Sequence, residues 1–250
     1  MQTGNFGKVR EAYAQARQLF PAEVFDYLWS LVVANSPRVL DLGCGTGIAT
    51  RQLAERRCAV VVGSDVDREM IAEAKQTSPF LSYFVAPVSK LPFNADSFDM
   101  VTAFSAFHWF RDDESLAEIK RVLMPGGLFA VINKNDVAGF RVWYREKLEQ
   151  LLGKKLPSLK QNYNPALILK ESGFEKVQEK SFAMTEHFDL DGALQHIQSA
   201  SIWGEVPIDS QSEATDLMRQ HILDNMIDGR IVRQLEVKVV FSLFGVSGCQ

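Results

Sequence analysis

Apolar positions change their period in a regular way along this chain. From Arg38 onward, short apolar runs of strand length alternate with stretches in which apolar side chains return every three or four positions. RVLDL (38–42), AVVVGSD (59–65), LSYFV (81–85), FDMVTAF (98–104) and LFAVIN (128–133) read as strands, and helices are expected after Gly47, from Asp67 and over 112–124. Strands separated by helices need crossover connections, so a parallel sheet covered by helices follows. Upstream, residues 5–34 read as helical, with Val24, Leu28, Leu31 and Val32 on one face and Pro21 opening the second helix. Pro125-Gly126-Gly127 is expected to end the helix carrying Leu116, Ile119 and Leu123 and to turn the chain into the next strand. Beyond it the rhythm changes. Two helical segments fit 135–172, the second bounded by Asn164 as N-cap, Pro165 in the first turn and Gly173 past the end. A strand over 174–184 and helices over 189–201 and 210–226 follow, and Leu235, Val237, Val239, Phe241 and Leu243 alternate as a last, half-buried strand.

Composition narrows the class without naming it. The 250 residues are 46% hydrophobic and 23% charged, which is ordinary for a globular chain and leaves no low-complexity linker to explain. A net charge of -4 argues against a surface that tracks phosphates, so no nucleic-acid partner is expected. Cys44, Cys58 and Cys249 have neither disulfide nor metal-ligand spacing and suit a reducing compartment, hence a cytoplasmic location. With no basic segment leading into an apolar one at the start, and no apolar run of membrane-spanning length, neither export nor a membrane partner is expected.

The candidate chemistry begins at Val39-Leu40-Asp41-Leu42-Gly43-Cys44-Gly45-Thr46-Gly47. Three glycines between a strand and a helix mark a sharp turn where the backbone passes close to a ligand. Asp65 ends the next strand, 22 positions after Gly43, where a carboxylate accepts hydrogen bonds from ribose hydroxyls. A nucleoside site is implied. The spacing is G-x-G-x-G, with Ile48 where the dinucleotide fingerprint has its third glycine. Asp41 beside the loop would repel a pyrophosphate and attract a cationic amino-acid ligand, which counts against a nicotinamide-dependent oxidoreductase.

VLDLGCGTG, SDVD, LPFNADSFDMVTAFSAFHWF and LMPGGLFAVI, in this order and spacing over roughly 36–133, resemble the successive motifs of class I S-adenosylmethionine-dependent methyltransferases. The chain looks most like their small-molecule, trans-aconitate methyltransferase-like branch, by Ala86-Pro87 before the LPF turn, His108-Trp109-Phe110, and the pattern Tyr13, Arg17, Pro21. The resemblance implies one α/β domain over 1–250, doubly wound and Rossmann-like, with a seven-stranded, mostly parallel sheet and an antiparallel last strand. Residues 36–133 would form the cofactor-binding core, and 134–173 and 187–230 helical insertions on the substrate side. It implies S-adenosyl-L-methionine as cofactor, with Asp41 and the loop of Gly43, Gly45, Thr46 and Gly47 at its methionine end, Asp65 at the ribose, Val66 against the adenine and Phe104 lining the pocket. Tyr13 and Arg17 would close over it, Arg17 pairing with its carboxylate. Many members hold the adenine amino group with an Asp where this chain has Pro87, followed by Val88, so a backbone carbonyl or Ser89 is the expected substitute.

Methyl transfer needs alignment and water exclusion more than it needs catalytic side chains. His108 is the candidate base, or orienting group, toward a hydroxyl or amine of a small, carboxylate-bearing acceptor; a carboxylate nucleophile needs no base. The alternative is a turn-capping histidine. Trp109 is a candidate for stacking on substrate or facing the sulfonium, against a plain core role. His187, His196 and His221 read as ordinary surface or partly buried residues, and Asp67 as a helix cap. Nine Lys/Arg against five Asp/Glu over 134–176 read as a solvated helix face, the alternative being a lid that brings Arg141 or Trp143 to an anionic substrate. The partner expected is a small methyl acceptor, free or carrier-linked, and the chain a monomer or weak homodimer. A non-catalytic S-adenosylmethionine-binding protein stands as the competing class.

Overall fold

The computed structural model describes residues 19–56, 59–157 and 163–245. Within them the chain forms two compact units, one from 19–134, 163–182 and 237–245, the other from 135–157 and 183–236. The strands are β1 (Arg38–Leu42), β2 (Val60–Asp65), β3 (Ser82–Val85), β4 (Phe98–Phe104), β5 (Leu123–Asp136), β6 (Gln178–Phe188) and β7 (Ile231–Leu243). The α-helices are α1 (Ala22–Ser30), α2 (Ile48–Ala54), α3 (Arg68–Thr77), α4 (Asp113–Val122), α5 (Phe140–Leu152), α6 (Pro165–Glu171), α7 (Leu190–Gln198) and α8 (Gln211–Asn225).

All seven strands contribute to one sheet in the order β3-β2-β1-β4-β5-β7-β6. The pairs among β3, β2, β1, β4 and β5 are parallel. β7 runs against β5: the Gly126 N–H donates to Phe244 O at 2.6 Å and the Phe244 N–H to Gly127 O at 2.8 Å. This is the mostly parallel, doubly wound sheet with an antiparallel last strand that the sequence predicts. Strand order reverses between β1 and β4, and a crevice opens at the carboxyl edge of such a switch point. β1 and β4 are buried nearly throughout, because helices cover both faces of a parallel sheet and leave no polar side. Phe98, Val101, Phe107, Ile119, Leu123 and Phe129 fill the core beneath that edge.

The local punctuation falls where side-chain chemistry puts it. Asp67 caps α3 by accepting from the N–H groups of Glu69 and Met70, and Asn164 caps α6 by accepting from Leu167 N–H. Gly173, at φ +76°, ends α6. Other boundaries move. α1 starts after Pro21 as expected but is over by Ser30, so Leu31 and Val32 follow it; residues 5–18 of the expected helical region lie outside the described residues. α4 stops at Val122, three residues before Pro125, and Pro125-Gly126-Gly127 lies inside β5 rather than in a turn. The reason is the residue before a proline: it favours extended backbone, and the two glycines then pair with Phe244, the residue just past β7. β6 begins at Gln178, four residues later than expected, because Phe174 is spent on the core and its N–H closes α6 on Leu169 O.

The second unit packs α5, α7 and α8 around Tyr144, Leu148, Ile197, Met218 and Ile222. At the start of α5 the Asp136 carboxylate accepts from the N–H groups of Ala138, Gly139, Phe140 and Arg141. Buried Arg233 reaches Asp136 at 3.2 Å, Glu186 at 2.9 Å and His196 Nε2 at 3.2 Å. His196 is therefore a buried member of an ionic cluster, not the ordinary partly exposed residue its sequence suggests. A guanidinium taken from water needs partners on several sides, and these elements supply them. Trp143 lies face to face with His221, ring centroids 3.5 Å apart.

Candidate functional site

The crevice floor is the segment between β1 and α2. Gly45, at φ +54°, takes a left-handed turn that only glycine adopts cheaply, and a Cβ built on it would meet nothing within 4 Å among the described residues. That opening is what a close-lying ligand requires. Gly47, at φ +77°, has a second and different constraint, since its Cβ would stand 2.5 Å from Tyr83 Oη. Gly43 is held by packing too, its Cβ falling 2.5 Å from that of Ala106. The three glycines thus split into one that faces open space and two that let β3 and the segment after β4 close on the loop. Thr46 is turned inward and buried, its backbone carbonyl accepting from Arg51 at 2.8 Å.

Asp65, at the end of β2, braces the loop. Its Oδ2 accepts from Gly45 N–H at 2.8 Å and its Oδ1 from Asp67 N–H at 2.9 Å. Burial pushes its pKa up, opposed by these amide bonds. Beside it Val66 is 54% exposed, an apolar side chain next to a half-buried carboxylate. The neighbouring turn is tied in by Ala86 N–H to Asp65 O at 2.9 Å; Pro87 is exposed, Val88 buried, and Pro87 O already accepts from Lys90 N–H. Open space at Gly45, a carboxylate at Asp65 and an apolar surface at Val66 fit a nucleoside with an amino-acid tail.

Asp41 is sealed from water. It is 1% exposed and lies beneath the loop, accepting from Thr50 Oγ1 at 2.7 Å and Thr102 Oγ1 at 3.0 Å. Burial pushes its pKa up to about 7, against the pull of the two threonines, with the Asp65 charge adding a smaller push. Phe104, at the end of β4, stacks on Phe25, centroids 5.4 Å apart, and meets Phe20 edge-on.

At the end of β4, Ser105 takes φ +54°, an uncommon conformation for a side-chain-bearing residue, and its N–H is fixed to Ile132 O at 2.7 Å. This kink throws Phe107–Trp109 into a short 3-10 turn anchored in the core by Phe107 and Phe110. His108 is half-buried and Trp109 37% exposed, their rings 5.2 Å apart. Two residues not singled out from the sequence join them. Tyr163 stands edge-on to His108 at 5.8 Å, and Asn133, at the end of β5's core stretch, donates from Nδ2 to Tyr163 Oη at 3.3 Å. A polar residue ending an otherwise apolar strand was the one available signal for Asn133. Burial pushes the Tyr163 pKa up to about 12, so the phenol stays protonated at any working pH. Tyr13 and Arg17 lie outside the described residues. Among the described residues no helix is long and apolar enough to cross a membrane.

Residues 40–131 match the family model described as a methyltransferase domain. A Synechocystis sp. protein named as an uncharacterized methyltransferase is 30% identical over 185 residues, covering 69% of this chain and 79% of that one. A solved structure from Anaeromyxobacter dehalogenans, assigned as a type II methyltransferase, superposes with a TM-score of 0.67 at 22% identity, covering 91% of this chain and 97% of that one. The Haemonchus contortus phosphoethanolamine N-methyltransferase 2, solved with S-adenosyl-L-methionine, gives a TM-score of 0.55 at 18% identity over 97% of this chain and 58% of that one. With the sheet order, the open glycine loop and the carboxylate at Asp65, these matches establish that the chain belongs to the class I S-adenosylmethionine-dependent methyltransferases.

Proposed function

We propose that this enzyme moves a methyl group from S-adenosyl-L-methionine to an oxygen or nitrogen of a small molecule. The observation that carries the reading is Gly45, open to space on one side and tied by its N–H to the Asp65 carboxylate on the other. In this reading Asp65 holds the ribose hydroxyls, Val66 and the Pro87-Val88 turn flank the adenine, and Gly43, Gly45, Thr46 and Gly47 form the wall at the methionine end. Placement in the trans-aconitate methyltransferase-like branch is supported by His108-Trp109-Phe110 and the Tyr13, Arg17, Pro21 pattern.

The bound donor supplies an electrophilic methyl carbon, and the remaining work belongs to the chain. His108 orients the acceptor and takes its proton; Trp109 covers the reacting groups and excludes water. The helical additions 134–173 and 187–230 are assigned to acceptor recognition. Titration calorimetry with S-adenosylmethionine tests the reading. The wild type should bind, and Asp65→Ala should bind at least tenfold more weakly, since hydrogen bonds to a charged group contribute about 1.5–3 kcal/mol each. A wild-type protein with no heat of binding would overturn it.

A further inference from the structure

One buried acceptor at the edge of the site lacks a donor. Asn133 is 4% exposed, and while its Nδ2 is bonded to Tyr163 Oη, its carbonyl oxygen Oδ1 has no hydrogen-bond partner among the described residues. A buried carbonyl left without a donor costs about 1–3 kcal/mol, and interiors seldom tolerate one without a use for it. The Tyr163 ring that its Nδ2 meets packs in turn on Phe107, ring centroids 6.3 Å apart. The residue's place in the fold is specific. Asn133 follows Ile132, whose carbonyl receives the Ser105 N–H, so it stands directly beside the kink that presents His108, and Tyr163 bridges the two.

We infer that Asn133 is a positioning residue for the methyl acceptor, its Oδ1 accepting a hydrogen bond from the nucleophilic group, which is therefore a neutral hydroxyl or an amine rather than a carboxylate. A carboxylate at this place would set oxygen against oxygen, with no proton between them. A hydroxyl or amine satisfies the orphaned carbonyl and keeps a lone pair free for the methyl carbon. In the transfer, the new bond from acceptor oxygen or nitrogen to that carbon forms as the carbon–sulfur bond of the donor breaks, its electron pair staying on sulfur. An amine gives a second N–H proton to the His108 imidazole as the bond forms; a hydroxyl, whose one proton is held at Oδ1 during attack, gives it up to that imidazole only after the new bond is made. Tyr163, protonated throughout, fixes the carboxamide rather than serving as a base.

This inference rests on the methyltransferase reading, and the experiment separates the two. Phenol and benzoate serve as probes of equal ring size, one a hydrogen-bond donor and the other an acceptor only, added to the full chain saturated with S-adenosylhomocysteine. Binding is followed by ¹H–¹⁵N spectra at the Asn133 carboxamide. The wild type should bind phenol at least tenfold more tightly than benzoate, with the Asn133 signal shifting. Asn133→Leu should lose at least tenfold in phenol affinity while its S-adenosylhomocysteine affinity is unchanged, a split that a purely structural role for Asn133 does not give. Equal or tighter benzoate binding, phenol binding that leaves the Asn133 signal still, or no binding of either probe at about 10 mM overturns the inference. The first two are read on the wild type, so they stand even if Asn133→Leu does not fold. Failure to bind S-adenosylhomocysteine would instead defeat the parent reading.

Discussion

The Asp41 carboxylate gives the fold an unusual pH dependence. Its pKa rises from 3.8 to about 7 on folding, chiefly because burial strips it of water. Between those values the folded chain holds a proton that the unfolded chain has released, so stability falls as pH rises through the window, the reverse of a salt-bridged aspartate. At about 1.4 kcal/mol for each tenfold change in proton affinity, the whole window amounts to about 4 kcal/mol, of which about 2–3 kcal/mol falls between pH 5 and pH 8. Asp41→Asn keeps the shape and the pairing with Thr50 and Thr102, since a threonine hydroxyl accepts as readily as it donates, but it cannot ionise. The ligand-free wild type and the variant are unfolded in urea at pH 5, 6, 7 and 8, so that other titrating groups cancel in the difference. The variant should gain about 2–3 kcal/mol on the wild type between the ends of that series. A cation bound above the loop favours the ionised form, so S-adenosylmethionine binding should release a proton near pH 7 in the wild type and not through this residue in the variant. Stability curves that run parallel from pH 5 to pH 8 would refute the reasoning.

The glycines of the loop should separate in their effects. Gly45→Ala should cost about 1–2 kcal/mol, for a left-handed alanine, and abolish cofactor binding, whereas Gly47→Ala should cost a further 1–3 kcal/mol or so as its methyl meets Tyr83. Thermal melts paired with calorimetry distinguish them, and equal stability of the two variants would count against the packing role given to Gly47. Arg233→Met leaves the buried carboxylates of Asp136 and Glu186 without their counter-charge, for a loss of about 3–5 kcal/mol. Denaturant unfolding checks it, and a variant as stable as the wild type would show that the cluster holds nothing together.

The amino-acid order alone determined the alternation of strands and helices, the caps at Asp67 and Asn164, the stop at Gly173, the glycine turn and the acid after the second strand. These are local matters: side-chain period, backbone freedom and the first hydrogen bonds of a helix act between residues a few positions apart. Pairings across the chain were decided elsewhere. Asp41 meets Thr102, 61 residues away, and is sealed from water. Asn133 meets Tyr163 across 30 positions, and Arg233 meets Asp136 across 97. The sequence supplies each of these groups but no distance between them. Sheet order and the packing of helices on it set which polar atoms lose water together, and that fixes both the charge Asp41 carries and the bond Asn133 lacks.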